Sequence, residues 1–296
     1  QELYIERVQR KGIVGNIYKG KVDRIMPGMK AAFVEVGLER AAILKVSDTG
    51  IADANQPISQ ILSDGQSIIV QVIKDALGSK GARLSSNLSL PSRYIVFMPS
   101  SHFFIGVSAR IEDEAERERL KVLLQEGIGE SPRGGYIIRT AAEGVESLAE
   151  DKKYLDKLWD FIQLRASSAA NGTLLHGDLP LPLRVLRDLV KPKTERILLD
   201  NEAEFNQALT FVRTFMPEIE KKLALYTHLR PIFDMYGVED EIERALARKV
   251  PLKSGGYIVF DQTEAMATID INTGGFVGHR NVDDTLFRTN LEAAYT

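Results

Sequence analysis

Residues 13–37, IVGNIYKGKVDRIMPGMKAAFVEVG, are rich in β-branched and apolar residues interleaved with basic ones, and carry a Pro27-Gly28 turn signal. That pattern predicts short strands joined by a tight turn. Two more β-rich stretches follow, RAAILKV (40–46) and SIIVQVIKD (67–75), with turn signals at Asp64-Gly65 and in LGSKG (77–81). Roughly five short strands in residues 12–86 is the size of a small OB-type barrel. Residues 48–66 interrupt the pattern and are expected to form a long, mobile loop.

Outward from this segment, residues 87–184 mix strands with helices. RYIVFMP (93–99) and GGYIIRT (134–140) read as strands, and Glu112–Gln125 between them as a helix with acids at its start and Leu120, Leu123 and Leu124 on one side. In KKYLDKLWDFIQLR (152–165), Leu155, Trp159 and Ile162 fall at helical spacing, and SSAANGT (167–173) reads as a loop. Further on, Phe205, Leu209 and Val212 share a helical face, as do Ile219, Leu223 and Tyr226, and Ile242 and Leu246. Ser254-Gly255-Gly256 opens a predicted hairpin made of YIVF, the turn DQTE and MATIDIN.

The 296 residues exceed one typical domain, and 44% hydrophobic with 27% charged residues is ordinary for a globular protein. No run is apolar enough to span a membrane, and the absence of cysteine excludes disulfides and thiolate zinc sites within these residues. A cytoplasmic location fits that composition, and a chain opening on Gln1 reads as part of a longer protein. The net charge of −3 hides an asymmetry. Arg7, Arg10, Lys11, Lys19, Lys21, Arg24 and Lys30 crowd the first thirty positions, while acids collect at 112–118 and 239–243. Such a split suits either a polyanion-binding face or solvated surface charge.

Three constellations could carry chemistry. Along the last strand Thr268, Asp270 and Asn272 point one way and Ala267, Ile269 and Ile271 the other, the apolar set being expected to pack inward. A carboxylate and an amide aligned at a strand end suit Mg²⁺, and equally suit a cap on the turn into TGGFVG. Arg139-Thr140, ending a strand, forms either a phosphate pocket or plain surface. Phe33, among Lys19, Lys21, Lys30 and Lys80, is either a base-stacking aromatic in a basic groove or a core residue. The four histidines, 102, 176, 228 and 279, are too scattered for a metal cluster, and His279 reads as surface.

Nearly the whole chain resembles the ribonuclease E/G family of endoribonucleases. The stretches that carry the resemblance include RKGIVGNIYKGKVDRIMPGMKAAFVEVG, GSKGARLS, YIVFMP, IIRTAAEGV, YGVEDEIERALARKV, LKSGGYIVFDQTEA and ATIDINTGGFVGHRN, in that order. The form DINTGGFVGHRN resembles the ribonuclease G side of the family. The resemblance implies an α+β multidomain fold: an S1-type OB-fold barrel and a 5′-sensor region inserted into an RNase H-like subdomain, then a DNase I-like catalytic subdomain. On this chain that division is 1–11 (remnant of the RNase H-like subdomain), 12–86 (S1-type barrel), 87–184 (5′-sensor), 185–245 (RNase H-like) and 246–296 (partial DNase I-like).

It further implies roles. Phe33 matches an RNA-gripping aromatic and Lys80 a basic contact, with Lys19 and Lys21 beside them; a second family aromatic is replaced by Ile43. Arg139, Thr140 and Val96 match the sensor of a 5′-monophosphate, while a basic sensor residue falls on Ala109, next to Arg110. Asp270 matches one of two Mg²⁺-binding aspartates, and Asn272 an amide that orients water or phosphate. The implied activity is single-strand-specific RNA hydrolysis leaving 5′-phosphate and 3′-hydroxyl ends, in ribosomal RNA maturation and messenger RNA decay. The second aspartate and the cysteines of a zinc link between subunits fall after Thr296 in the family pattern. Residues 1–296 are therefore expected to cut RNA weakly or only bind it, and homo-oligomers are expected of the full-length parent.

Overall fold

The structure, a computed structural model, describes residues 2–7, 11–51, 56–78, 80–128, 133–191, 193–264, 266–276 and 281–296. The chain divides into two compact units, residues 1–195 with 207–222, and residues 196–206 with 223–296.

The first unit begins with the predicted barrel: β1 (Ile17–Met26), β2 (Ala31–Glu35), β3 (Ala42–Lys45), β4 (Ser67–Lys74) and β5 (Arg83–Ser85). Neighbours run β1-β2-β3-β5-β4, and β4 returns to β1, closing an OB-like barrel of five strands. Closure depends on β1 being long: Ile17–Lys21 pair with β4, while Lys21–Met26 pair with β2 across a bulge after Val22. Gly20 sits at this bend, and a Cβ there would lie 2.6 Å from the Val34 side chain. The strands alternate, with Val22, Val34, Leu44, Val70, Val72 and Leu84 filling the interior.

Within 48–66, expected to be a long, mobile loop, residues Ile58–Ile61 form the short helix α1. Ile58 and Leu62 are buried in the barrel core, and that burial orders the segment. Residues 52–55 of the same stretch lie outside the described residues.

A second sheet, ordered β6-β7-β9-β8, comprises β6 (Leu90–Pro91), β7 (Ile95–Met98), β8 (Phe104–Val107) and β9 (Gly135–Ile138). Against it pack α2 (Glu114–Ile128) and α3 (Ala149–Ser168), burying Leu120, Leu124, Leu155 and Ile162 around a stacked Phe97–Tyr136 pair. These are the faces that helical periodicity selected. β10 (Thr173–His176) then joins the barrel sheet beside β1, and α4 (Leu181–Leu189) follows.

In the second unit β11 (Ile197–Leu199) pairs in parallel with β12 (Leu223–Leu225); α5 (Glu202–Phe215), between them in sequence, belongs mostly to the first unit. The helical face expected of Ile219, Leu223 and Tyr226 is not formed. Residues Pro217–Lys222 make a 3-10 turn and Leu223–Leu225 a strand, because pairing with Ile197–Leu199 satisfies this short apolar run better than an isolated helix would. Then come α6 (Ile232–Met235) and α7 (Val238–Leu246), on which Leu246 is exposed rather than packed with Ile242. The unit ends with the sheet β13 (Lys249–Pro251), β14 (Tyr257–Gln262), β15 (Ala267–Asn272) and the helix α8 (Val282–Tyr295).

Candidate functional site

In the β13–β15 sheet, Val259 faces Asp270 and Tyr257 faces Asn272, so these four side chains share one face. The Asn272 amide donates to the Asp270 carboxylate at 2.8 Å, bringing the two residues together as predicted. The following turn is closed by backbone bonds, Phe276 N–H to Thr273 O and Gly275 N–H to Gly255 O. Gly274 has φ 55°, and a Cβ there would lie 2.4 Å from Gly255 O. That turn therefore stands on its backbone, and the Asn272 side chain is turned to Asp270 instead of capping it. His279 and the rest of 277–280 lie outside the described residues.

Two expectations about this sheet change. Ile269 is 60% exposed and Ile271 38%, so the apolar face of β15 does not pack inward as expected; of this hairpin, Ile258 is the buried apolar residue. And the chemical face carries two residues that single-strand periodicity missed. Lys249 pairs with Val259, which places it on the Asp270 face, and its ammonium lies 3.7 Å from the Tyr257 ring centroid. Pairing the YIVF and MATIDIN strands would have exposed Tyr257; finding Lys249 needed the third strand.

Nearby, Arg248 holds Asp261 through two bonds of 2.7 and 3.0 Å, which lowers the Asp261 carboxyl below its usual range. Ser254 donates its backbone N–H to Glu292 of α8, and the Ser254 bonds lower that carboxyl as well. One carboxylate beside an amide suits a hard cation that keeps several waters and shares a substrate phosphate. Among the described residues no group of three or more His, Asp or Glu side chains is gathered for a metal.

On the barrel, Phe33 is half-buried and lies outside the core cluster, which removes the core reading. Strand register builds a row across the outer surface: Arg24 opposite Phe33, Phe33 opposite Ile43, Ile43 beside Arg83, and Arg83 opposite Lys74. An aromatic and an aliphatic side chain thus lie between cationic ones, the composition of a single-strand binding surface. Asp48 engages Arg83 at 2.7 and 2.9 Å. Lys21 is exposed and cross-strand to Glu35, and Lys80 is exposed in the turn opposite Leu77.

Lys19 is placed differently. Its ammonium donates to Ala166 O and Ala169 O at 2.8 Å each, closing the C-terminal end of α3, where orphan carbonyls favour a cation. The lysine is engaged by its own chain.

At the end of β9, Arg139, Ile137 and Val96 share the sheet face away from the core, Val96 being directly opposite Ile137. Thr140 is exposed. The Arg139 guanidinium donates to Ser92 O and meets the Asp188 carboxylate, both at 2.7 Å. Asp188 is also gripped by Arg187 through two bonds of 2.9 Å. Burial pushes the Asp188 carboxyl up, but Arg187 and then Arg139 outweigh it, and its pKa ends below the usual value. Arg139 is thus already seated on an anionic group. Arg110, beside Ala109, is exposed.

The first unit carries a five-stranded OB-like barrel, the second an exposed carboxylate–amide strand, and the family is given by sequence comparison. The chain belongs to the Ribonuclease E/G family, whose family model matches residues 89–296. Among individual relatives, Ribonuclease G of Salmonella typhimurium is 52% identical over 99% of this chain and 62% of its own length. Ribonuclease G of Haemophilus influenzae is 49% identical over the same shares. Ribonuclease E of Escherichia coli is 37% identical over 99% of this chain and 28% of its own length. The chain therefore spans about three fifths of the Ribonuclease G relatives it matches. No helix among the described residues is long and apolar enough to cross a membrane.

Proposed function

We propose that this chain is the RNA-gripping region and part of the cleavage site of a Mg²⁺-dependent endoribonuclease acting on single-stranded RNA. The observation that carries the reading is the Asp270–Asn272 pair, joined at 2.8 Å on an exposed strand face in a member of the Ribonuclease E/G family. Asp270 would hold the ion through its carboxylate. The amide of Asn272, oriented by its bond to Asp270, would position the attacking water or the scissile phosphate. Mg²⁺, when bound, supplies Lewis acidity at the phosphate being cut. The products are a 5′-phosphate and a 3′-hydroxyl.

The barrel row of Arg24, Phe33, Ile43 and Arg83 would hold the strand, with Lys21 and Lys80 at its margins. Arg139, Thr140 and Val96 would read a 5′-monophosphate, Arg139 exchanging the Asp188 carboxylate for the phosphate. In this reading residues 185–245 contribute to an RNase H-like subdomain and 246–296 to a DNase I-like one. Its cellular work is ribosomal RNA maturation and messenger RNA decay in the cytoplasm.

A second reading, an RNA-binding module without chemistry, is favoured by the single carboxylate on the β15 face and the absence of any gathered metal cluster among the described residues. Cleavage of an A/U-rich oligoribonucleotide with and without Mg²⁺ separates the two. Residues 1–296 are expected to cut slowly, and Asp270→Asn to lower that rate by at least about a hundredfold, on the order of an essential electrostatic group. Cleavage unchanged in Asp270→Asn would remove the catalytic assignment.

A further inference from the structure

We propose that Tyr257 and Lys249 form a nucleotide subsite beside Asp270, the ring stacking on a base of single-stranded RNA and the ammonium neutralising an adjoining phosphate. The inference rests on the endoribonuclease reading and adds to it the residues that would seat the strand at the cut.

Register carries the argument. Tyr257 stands directly opposite Asn272, so their Cβ atoms are about 5 Å apart on one face, and Asp270 is two residues along the same strand. Lys249 comes from the third strand onto this face, and its ammonium lies 3.7 Å from the ring centroid. Tyr257 is half-buried, and the apolar packing of its strand is done by Ile258 on the opposite face. The ring is therefore not committed to a core. Lys249 is itself exposed, and at such a site a cation over a ring contributes little to stability. A planar aromatic with an adjacent cation is, however, the pairing that holds single strands without regard to sequence. Electrostatics agree: Arg248 neutralises Asp261 at the far end of the face, leaving Lys249 to oppose the charge that a phosphate brings toward Asp270.

The test uses residues 1–296 with a single-stranded oligoribonucleotide carrying 5-iodouridine, read by fluorescence anisotropy and by mapping of photo-crosslinked peptides. The expected result is a crosslink in the 257–262 strand, kept in Tyr257→Phe and lost in Tyr257→Leu. Affinity should fall about fivefold or more in Tyr257→Leu, the lower end for loss of one stacked base. Lys249→Gln should reduce the slope of log affinity against log salt by about 0.7, one phosphate contact on a single strand. Crosslinks confined to the barrel around Phe33, with Tyr257→Leu binding as the parent does, would overturn the subsite and leave the functional reading standing. A parent chain that binds no RNA would overturn both.

Discussion

The barrel and the β13–β15 sheet are both small β assemblies with a face proposed for RNA, yet they solve burial in opposite ways. The barrel closes on itself, so Leu44, Val34 and Leu84 are fully enclosed and the row around Phe33 faces outward. The three-stranded sheet does not close. Phe260, Met266 and Ile269 remain exposed on or beside it, while its side-chain bonds include Arg248–Asp261 and Asn272–Asp270. A surface that grips a polyanion, the role proposed for the barrel, needs only a rigid base and a few cations. The open sheet carries apolar side chains but leaves them uncovered, so burial contributes little to holding β15.

The contrast would break if the two apolar faces contributed equally to stability. Leu44→Ala should destabilise the barrel by about 2–5 kcal/mol in chemical denaturation, while Ile269→Ala should cost under about 1 kcal/mol. Equal losses would mean that β15 is packed far better than its exposure indicates.

Within the barrel, Lys19 and Phe33 sharpen the division between holding the fold and holding RNA. Lys19→Met removes two bonds of an ammonium to helix carbonyls and should lower stability by about 1.5–3 kcal/mol, leaving single-strand affinity nearly unchanged. Phe33→Ala should do the reverse, weakening oligoribonucleotide binding by about 1–3 kcal/mol with little change in melting temperature. A loss of RNA affinity in Lys19→Met as large as in Phe33→Ala would restore Lys19 to the binding surface.

The smallest expected effect is a pH dependence at Asp188 of α4. Asp188 is held below its usual 3.8 in the folded chain, so its pairing with Arg187 and Arg139 stabilises the fold fully above that value. The contribution fades as pH falls through the lowered folded value. Asp188→Asn should remove this acid-side loss, measured as melting temperature against pH. An unchanged profile would show that the carboxylate is not coupled to folding.

By itself the sequence determined the barrel, because β-branched runs set between turn residues are a local property that each strand carries alone. It also determined that Asp270 and Asn272 share a face, by the period-two alternation of a strand, and that Leu120, Leu124, Leu155 and Ile162 are the packing faces of two helices. It left Phe33 open between core and surface, since that choice depends on which neighbours close around a strand. Only the tertiary structure turned Leu223–Leu225 from a helical face into a strand, by offering Ile197–Leu199 as a partner. Only the tertiary structure brought Lys19 to carbonyls 147 and 150 residues away, and set Asp188 between Arg139 and Arg187. The physical reason is common to all of these. Periodicity reports the direction of a side chain relative to its own backbone, whereas ion pairs, helix caps and cross-strand neighbours such as Lys249 and Tyr257 depend on which distant segment arrives beside it.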